Sequence, residues 1–255
     1  VRIQAAAPPF AAGENWPVRC GLPVPQGELT SAEAAGVFDA RGRQVPSQNR
    51  ALATWPDGSV KWLFLDFRHD FSKGGPANYT VAYGNQVRAL PAQQQVRIAN
   101  TAAGLELDTG AIRFRVSKSR FGLIEDVRLP SGSVLQSDPV SAEIRETSGK
   151  IWRALDLVVD KLQVEQAGPM HAVILVETRL APSGKPAQGF VPRARIHAYA
   201  GLPLVQVDYF VANTDSRPRV LASSIALKIR PAGKGAGGGA IVQATADQTG
   251  QGWVS

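Results

Sequence analysis

An all-β fold is what the sequence predicts, and three observations predict it. Twenty-five glycines and eighteen prolines are scattered through 255 residues rather than clustered, and they break the chain at intervals of about 8–12 residues. Between the breaks, apolar and polar residues alternate with the period of two that sends one side chain to the core face of a sheet and the next to the solvent face. Only residues 30–35 (TSAEAA) read as helix, one or two turns long, with Thr30 or Ser31 as cap and Glu33 in the first turn. At 44% hydrophobic residues the chain can build real cores in one large or two small domains, which excludes intrinsic disorder.

The elements follow in order. Residues 37–38 and 44–46 flank the turn Asp39-Ala40-Arg41-Gly42 and predict a short hairpin. A clearer one joins residues 48–55 to residues 59–67 through Pro56-Asp57-Gly58. There Pro presets φ, Asp bonds its own backbone and Gly accepts positive φ. Residues 72–76 (SKGGP) loop, 79–83 give another strand, and 89–95 (ALPAQQQ) form a polar link with little to bury. The domain boundary is placed at that link, with one domain over 1–90 and a second over 97–255. In the second, strand-like runs cover 105–107, 111–116, 124–129, 140–146, 152–165, 171–180, 191–200, 204–212 and 221–229. Each has one apolar face to hide, so a two-sheet antiparallel sandwich is the natural packing, although a closed barrel satisfies the same pattern. Residues 231–239 (PAGKGAGGG) read as a flexible loop, and no internal repeat is found.

Net charge is +7, from 28 Lys+Arg against 21 Asp+Glu; residues 1–90 carry 9 and 7, residues 91–255 carry 19 and 14. No basic arm emerges. The balance suits an anionic partner: nucleic acid, a membrane surface or an acidic polysaccharide. A lone cysteine, Cys20, excludes an internal disulfide framework and Cys-rich zinc modules, and His69, His171 and His197 are too dispersed in sequence for a local metal motif. Neither a metal nor a cofactor is therefore expected. No apolar run has the length of a membrane-spanning helix, so no membrane partner is expected. The abrupt ends at Val1 and Ser255 lead us to expect a removed signal and a missing downstream domain, hence a secreted or periplasmic protein.

The most informative strand is residues 192–200 (PRARIHAYA). Arg193, Arg195, His197 and Tyr199 share one face; Ala194, Ile196, Ala198 and Ala200 share the other. After the Gly201-Leu202-Pro203 turn the chain runs on through residues 204–211. A hairpin that keeps polar faces together sets Arg195 beside Asp208 and His197 beside Gln206. The bland interpretation is a surface ion pair, worth about 0–1 kcal/mol. The functional one is a groove wall for a uronic-acid sugar. A β-eliminating lyase must neutralise the uronate carboxylate, remove the acidified ring proton and protonate the leaving oxygen, tasks suited to Arg195, His197 and Tyr199 as catalytic residues, with Arg193 binding substrate.

A second basic stretch, AIRFRVSKSR, carries Arg113 and Arg115 on one face, opposite Phe114 and Val116, followed by Lys118 and Arg120. Its ordinary role is a solvated sheet face; its functional role is substrate binding by Arg113 and Arg115, because guanidinium grips carboxylate bidentately. Of five tryptophans, Trp55 and Trp62 flank the predicted hairpin turn and are expected in its core rather than as sugar platforms. No recognition helix, basic-aromatic motif or phosphate-cradling loop points to nucleic acid. Nor does a Gly-x-Ser-x-Gly elbow appear, Cys20 reads as an idle thiol, and Glu125-Asp126 read as water-facing.

Residues 17–29 (PVRCGLPVPQGEL), 39–48 (DARGRQVPSQ) and 55–67 (WPDGSVKWLFLDF) resemble, in order and spacing, the N-terminal barrel domain of exo-rhamnogalacturonan lyase-like proteins. Asn100-Thr101, Asp108-Thr109-Gly110 with Arg113-Phe114, and residues 195–203 (RIHAYAGLP) resemble the central β-sandwich of the same family. The resemblance implies a small N-terminal RIFT-type β-barrel followed by a sandwich, without the family's C-terminal α/α toroid, which is expected as a missing domain or separate chain. It implies a substrate-supporting portion of a polysaccharide lyase-like protein with an acidic, pectin-type polysaccharide as partner. A non-catalytic carbohydrate-binding or scaffold module is the competing expectation.

Overall fold

The computed structural model describes residues 1–6, 13–72, 74–84, 86–133, 140–178, 190–213 and 221–228, with two short paired strands at 244–245 and 253–254. The predicted loop at 231–239 lies outside them. The strands are β1 (Arg2–Ala5), β2 (Trp16–Pro23), β3 (Ala35–Phe38), β4 (Gln44–Val45), β5 (Ser47–Thr54), β6 (Val60–His69) and β7 (Ala77–Tyr83). Then come β8 (Arg97–Asn100), β9 (Gly104–Asp108), β10 (Arg113–Ser117), β11 (Glu125–Leu129), β12 (Gly132–Ser133), β13 (Ser141–Glu146), β14 (Ile151–Arg153) and β15 (Val159–Ala167). The last are β16 (His171–Thr178), β17 (Phe190–Tyr199), β18 (Val205–Asn213), β19 (Ala222–Lys228), β20 (Ala244–Thr245) and β21 (Trp253–Val254). Among the described residues the helical segments are two 3-10 turns, Ala32–Ala34 and Ala154–Asp156.

The chain is all-β, and its apolar residues gather in two clusters. The first lies between the sheets β1-β7-β3-β4 and β2-β6-β5 and is built on Leu29, Val37, Leu63, Leu65, Phe67 and Val81. The second lies between the sheets β12-β11-β10-β9-β8 and β15-β16-β17-β18, with β13 contributing, and includes Leu107, Phe114, Val116, Ile174, Ile196 and Ala198. This is a two-sheet sandwich. Val96 and Ile98, just past the polar link, pack against it.

The hairpin at residues 47–69 forms on the predicted turn. Gly58 adopts φ 83°, and Asp57 accepts from the backbone and hydroxyl of Ser59 at 2.9 and 2.6 Å. At the shorter hairpin Asp39 accepts from the Arg41 and Arg43 amides, both at 2.9 Å.

Several expectations need correction. The predicted helix at residues 30–35 is one 3-10 turn capped by Ser31, because the chain enters β3 at Ala35. The run 152–165 is interrupted by the second 3-10 turn. β8 was absent from the predicted strands, since its four residues show little apolar alternation. Trp55 donates to the Val24 carbonyl at 2.9 Å, but Trp62 is 43% exposed rather than in a hairpin core. Its inward neighbour Leu63 fills that core instead. Glu125 and Asp126 do not simply face water: both hold the Arg115 guanidinium, at 2.8 and 2.6 Å.

Candidate functional site at the seam between the halves

Strands β6 and β17 each have a core face and an outer face, and in both the outer face passes from open to covered along the strand. On β6 the outer side chains are Trp62, exposed, Phe64, half-buried, and Asp66, only 4% exposed. On β17 they are Arg193, exposed, Arg195, half-buried, and then His197 and Tyr199, 5% and 1% exposed. The covered ends lie against each other. What covers Asp66 is the sandwich, and what covers His197 and Tyr199 is the sheet β2-β6-β5 of the first part, the barrel that the sequence predicts.

Strand register assembles the contact. Arg19, Asp66 and Gln48 form one row across β2, β6 and β5. Opposite them, His171 pairs with Tyr199, and His197 with Gln206, across β16, β17 and β18. Every member of the barrel row reaches the sandwich. Gln48 Oε1 accepts from the Met170 and His171 amides at 2.9 and 3.0 Å, while its Nε2 donates to the His171 carbonyl at 3.1 Å. Arg19 donates to Gln206 Oε1 at 3.0 Å and approaches His197 Nδ1 at 3.4 Å. One strand step on, Arg68 donates to the Met170 and Ala200 carbonyls, both at 3.1 Å, and lies 5.5 Å over the Tyr199 ring.

Asp66 opens a linear chain of contacts: its Oδ1 lies 3.1 Å from His171 Nδ1, His171 Nε2 lies 2.9 Å from His197 Nδ1, and His197 Nε2 lies 3.0 Å from Asp208 Oδ2. Each link needs one proton. Burial is the main cause that lowers His197 to about 4, with His171 and Arg19 adding to the effect and Asp208 opposing it. His197 is therefore neutral near pH 7. With the Arg19 guanidinium at its Nδ1, that nitrogen accepts and Nε2 donates to Asp208. His171 Nε2 lies at hydrogen-bond distance from the same nitrogen, and Asp66 meets the other nitrogen of the His171 ring.

The His171 and Tyr199 rings stack, while the His171 and His197 rings are nearly coplanar and meet edge to edge through their nitrogens. The His171 ring lies 4.6 Å from Tyr199 and 5.1 Å from His197, at interplanar angles of 12° and 16°. Burial pushes the Tyr199 phenol up to about 12, and its hydroxyl donates to Gln206 Oε1 at 3.0 Å. Solvent reaches this network at Arg19, which is exposed, and at Asp208, whose side chain is 37% exposed.

The other expected site residues lie elsewhere. Arg195 is opposite Asp208 in the β17–β18 register, but its guanidinium is held bidentately by Glu165 at 2.6 and 3.0 Å. The expected Arg195–Asp208 pair is thus replaced, because Asp208 turns to His197 and Glu165 supplies the better fork. Arg193 meets Glu177 at 3.5 Å and lies 5.5 Å over Phe210. Arg113 and Arg115 sit on the far sheet, Arg113 on Asp108 at 2.9 Å and Arg115 on Glu125 and Asp126. The Cys20 thiol is pushed up to about 11, mainly by burial, and is no nucleophile near neutral pH.

Sequence reasoning missed His171, Asp66, Arg19 and Gln48. A signal existed for the last three: each lies in one of the three barrel motifs, at PVRCG, VPSQ and LFLDF. His171 heads an apolar run whose buried character, in a central strand covered on both sides, hid its role.

Comparison with known proteins bears on the first part of the chain. Residues 3–80 match the PcRGLX-like N-terminal RIFT barrel domain, the barrel of rhamnogalacturonan lyase-like proteins. A curated relative, "Uncharacterized protein YetA" of Bacillus subtilis (strain 168), is 24% identical over 184 residues, covering 69% of this chain. The chain spans about a fifth of that relative, 20% of its length.

Proposed function

We propose that this chain, whose first part is a RIFT barrel of the polysaccharide-lyase-like kind, is the substrate-supporting portion of a protein that cleaves an acidic, pectin-type polysaccharide by β-elimination. The observation that carries this reading is the barrel itself, matched over residues 3–80 and joined to the sandwich by hydrogen bonds from Arg19, Gln48, Asp66 and Arg68. Two domains so joined offer one continuous surface to a polymer. Residues 1–90 and 97–255 act as its two units, with the polysaccharide as partner outside the cell or in the periplasm, and with an α/α toroid, in the same or a separate chain, as the place of main catalysis.

Within this chain the burial of His197 and Tyr199 favours the supporting role. Both nitrogens of His197 are engaged, one by His171 and one by Asp208. The Tyr199 hydroxyl is spent on Gln206. A sugar ring would have to displace these bonds before either group could handle its proton, whereas Arg195 already has its carboxylate in Glu165. We therefore assign His197 and Tyr199 to positioning the domains and keep a non-catalytic carbohydrate-supporting module as the form this function takes here.

Two measurements test it. Affinity electrophoresis through gels containing rhamnogalacturonan or polygalacturonate should retard the chain, and free migration in every acidic polysaccharide overturns the reading. Ultraviolet absorbance of unsaturated uronides should not rise when the chain alone meets these polymers. A rise that His197→Ala abolishes returns the chemistry to the sandwich.

A further inference from the structure

The outer face of the sheet β12-β11-β10-β9-β8 carries a row of charged side chains that the seam does not use. Strand register sets Arg97 opposite Asp108, Asp108 opposite Arg113, and Arg113 opposite Arg128. The row reads Arg, Asp, Arg, Arg, a net charge of +2, and Asp108 is the one carboxylate within it, bound to Arg113 at 2.9 Å. Like charges directly opposite each other on a sheet are destabilising. Arg113 and Arg128 are such a pair, and Arg97 and Arg128 are exposed. The next row is different. There Arg115 lies among Glu106, Glu125 and Asp126 and is neutralised by two of them.

This row does not lie on a flat surface. It lines a concavity of about 410 Å³ that includes Arg97, Asp108, Arg113 and Arg128. Arg97 and Asp108 also line a second concavity, of about 430 Å³, whose far wall is Gln93, Gln94 and Gln95 of the interdomain link. Gln93 and Gln94 in turn line a third, of about 320 Å³, which reaches Arg68 and Gly201 at the seam. The three concavities adjoin one after another through shared lining residues and together make an interrupted groove. Its charged and amide lining is Arg68, Arg97, Arg113, Arg115 and Arg128 with Gln93, Gln94 and Gln95, against the carboxylates Asp108, Glu106 and Asp126, two of which are held by Arg113 and Arg115.

We propose that this groove binds a linear polyuronate chain, with Arg97 and Arg128 each taking a carboxylate and Gln93, Gln94 and Asp108 taking ring hydroxyls. Arg97 and Arg128 stand on strands three positions apart, and at ~4.8 Å per strand that separates them by roughly 14 Å. One small anion does not bridge such a gap, while a polymer with repeated carboxylates does. Guanidinium forks match carboxylates in geometry as well as charge. Side-chain amides, which both donate and accept, suit hydroxyls. The groove follows the link between the domains, so a chain lying in it touches both halves, Arg68 at one end and Arg128 at the other.

The proposal rests on the polysaccharide-supporting function above, and its test separates the two. Isothermal titration of the chain with polygalacturonate oligomers is compared with titration of the Arg97→Gln/Arg128→Gln variant and of an Arg2→Gln/Arg41→Gln control. The control removes the same charge from exposed positions elsewhere. Both changes lie on the surface, and unchanged thermal midpoints verify folding. The groove variant should bind at least tenfold more weakly, with a shallower salt dependence, and the control should stay within about twofold of the parent. Equal affinity of groove variant and parent overturns the groove while leaving the supporting function standing. Failure of the parent to bind any acidic polysaccharide overturns both. Equal binding of a single-stranded oligothymidylate through the same two arginines replaces the polyuronate with a general polyanion and also overturns the proposal.

Discussion

At Arg193 and Arg195 the outer face of β17 is open to water; at His197 and Tyr199, two and four residues beyond Arg195, the same face is sealed. The open end solves its charges locally. Arg193 takes Glu177 from the adjacent strand β16 and Arg195 takes Glu165 from β15, one strand further across the same sheet. At the sealed end His197 and Tyr199 bond His171, Asp208 and Gln206 of their own sheet, and the barrel closes over them with Arg19, Arg68 and Asp66, the last 105 residues from His171 in sequence. A salt bridge in water is worth little, while a polar group under cover is costly to leave unmet. The residue types at the two ends are similar, and the cover decides what each is worth.

That contrast is broken most severely at Asp66. Asp66→Ala takes the buried acceptor from His171 Nδ1 and Gln166 Nε2 inside the seam, and a loss of about 3 kcal/mol is expected in urea unfolding, the scale for buried polar groups left unmet. A loss below about 1 kcal/mol would put the seam on a par with the open end.

Acid gives the next largest effect. Burial holds His197 at about 4, below its ordinary 6.5, so the unfolded chain takes up a proton first as pH falls. His197 therefore adds stability above pH 6.5, and that contribution is lost between about 6.5 and 4. On the linkage scale this is about 2.5 kcal/mol by pH 4.5. Carboxylates held low by their partners, such as Glu165 beside Arg195, contribute a separate loss nearer pH 4. Comparing the pH profile of the parent with that of His197→Gln isolates the histidine, whose share should vanish in the variant.

Tyr199→Phe sharpens the comparison from the inside, since it keeps the stack on His171 and removes only the hydrogen bond to Gln206. About 1 kcal/mol is expected, read as a shift in thermal midpoint. At the open end Arg195→Ala should cost less than about 1 kcal/mol by the same measurement. Asp208→Ala leaves the Arg195–Glu165 fork intact, which a structure of the variant would show directly.

Period-two alternation made most of the fold legible: it identified the inner face of β17, placed Arg195 beside Asp208 and His197 beside Gln206, and put Arg113 and Arg115 on one face. Turn chemistry located both barrel hairpins. What alternation does not encode is the element that lies over a face. A polar outer stripe reads the same whether water or another domain covers it, so the seam could not be inferred from β17 alone. Asp66 looked like the ordinary polar member of an alternating strand. Trp62 was misplaced for the converse reason, since an indole in a strand suggests core while its parity with Asp66 puts it outside. The choice of Glu165 over Asp208 for Arg195 depended on a third strand, β15, which a two-strand hairpin does not contain.

The most direct test of the seam is a double-mutant cycle between Asp66→Asn and His171→Gln, measured by urea unfolding of all four proteins. The buried Asp66–His171 contact between barrel and sandwich predicts a coupling above about 1.5 kcal/mol, whereas additivity within about 0.5 kcal/mol would contradict the claim that these two side chains join the domains.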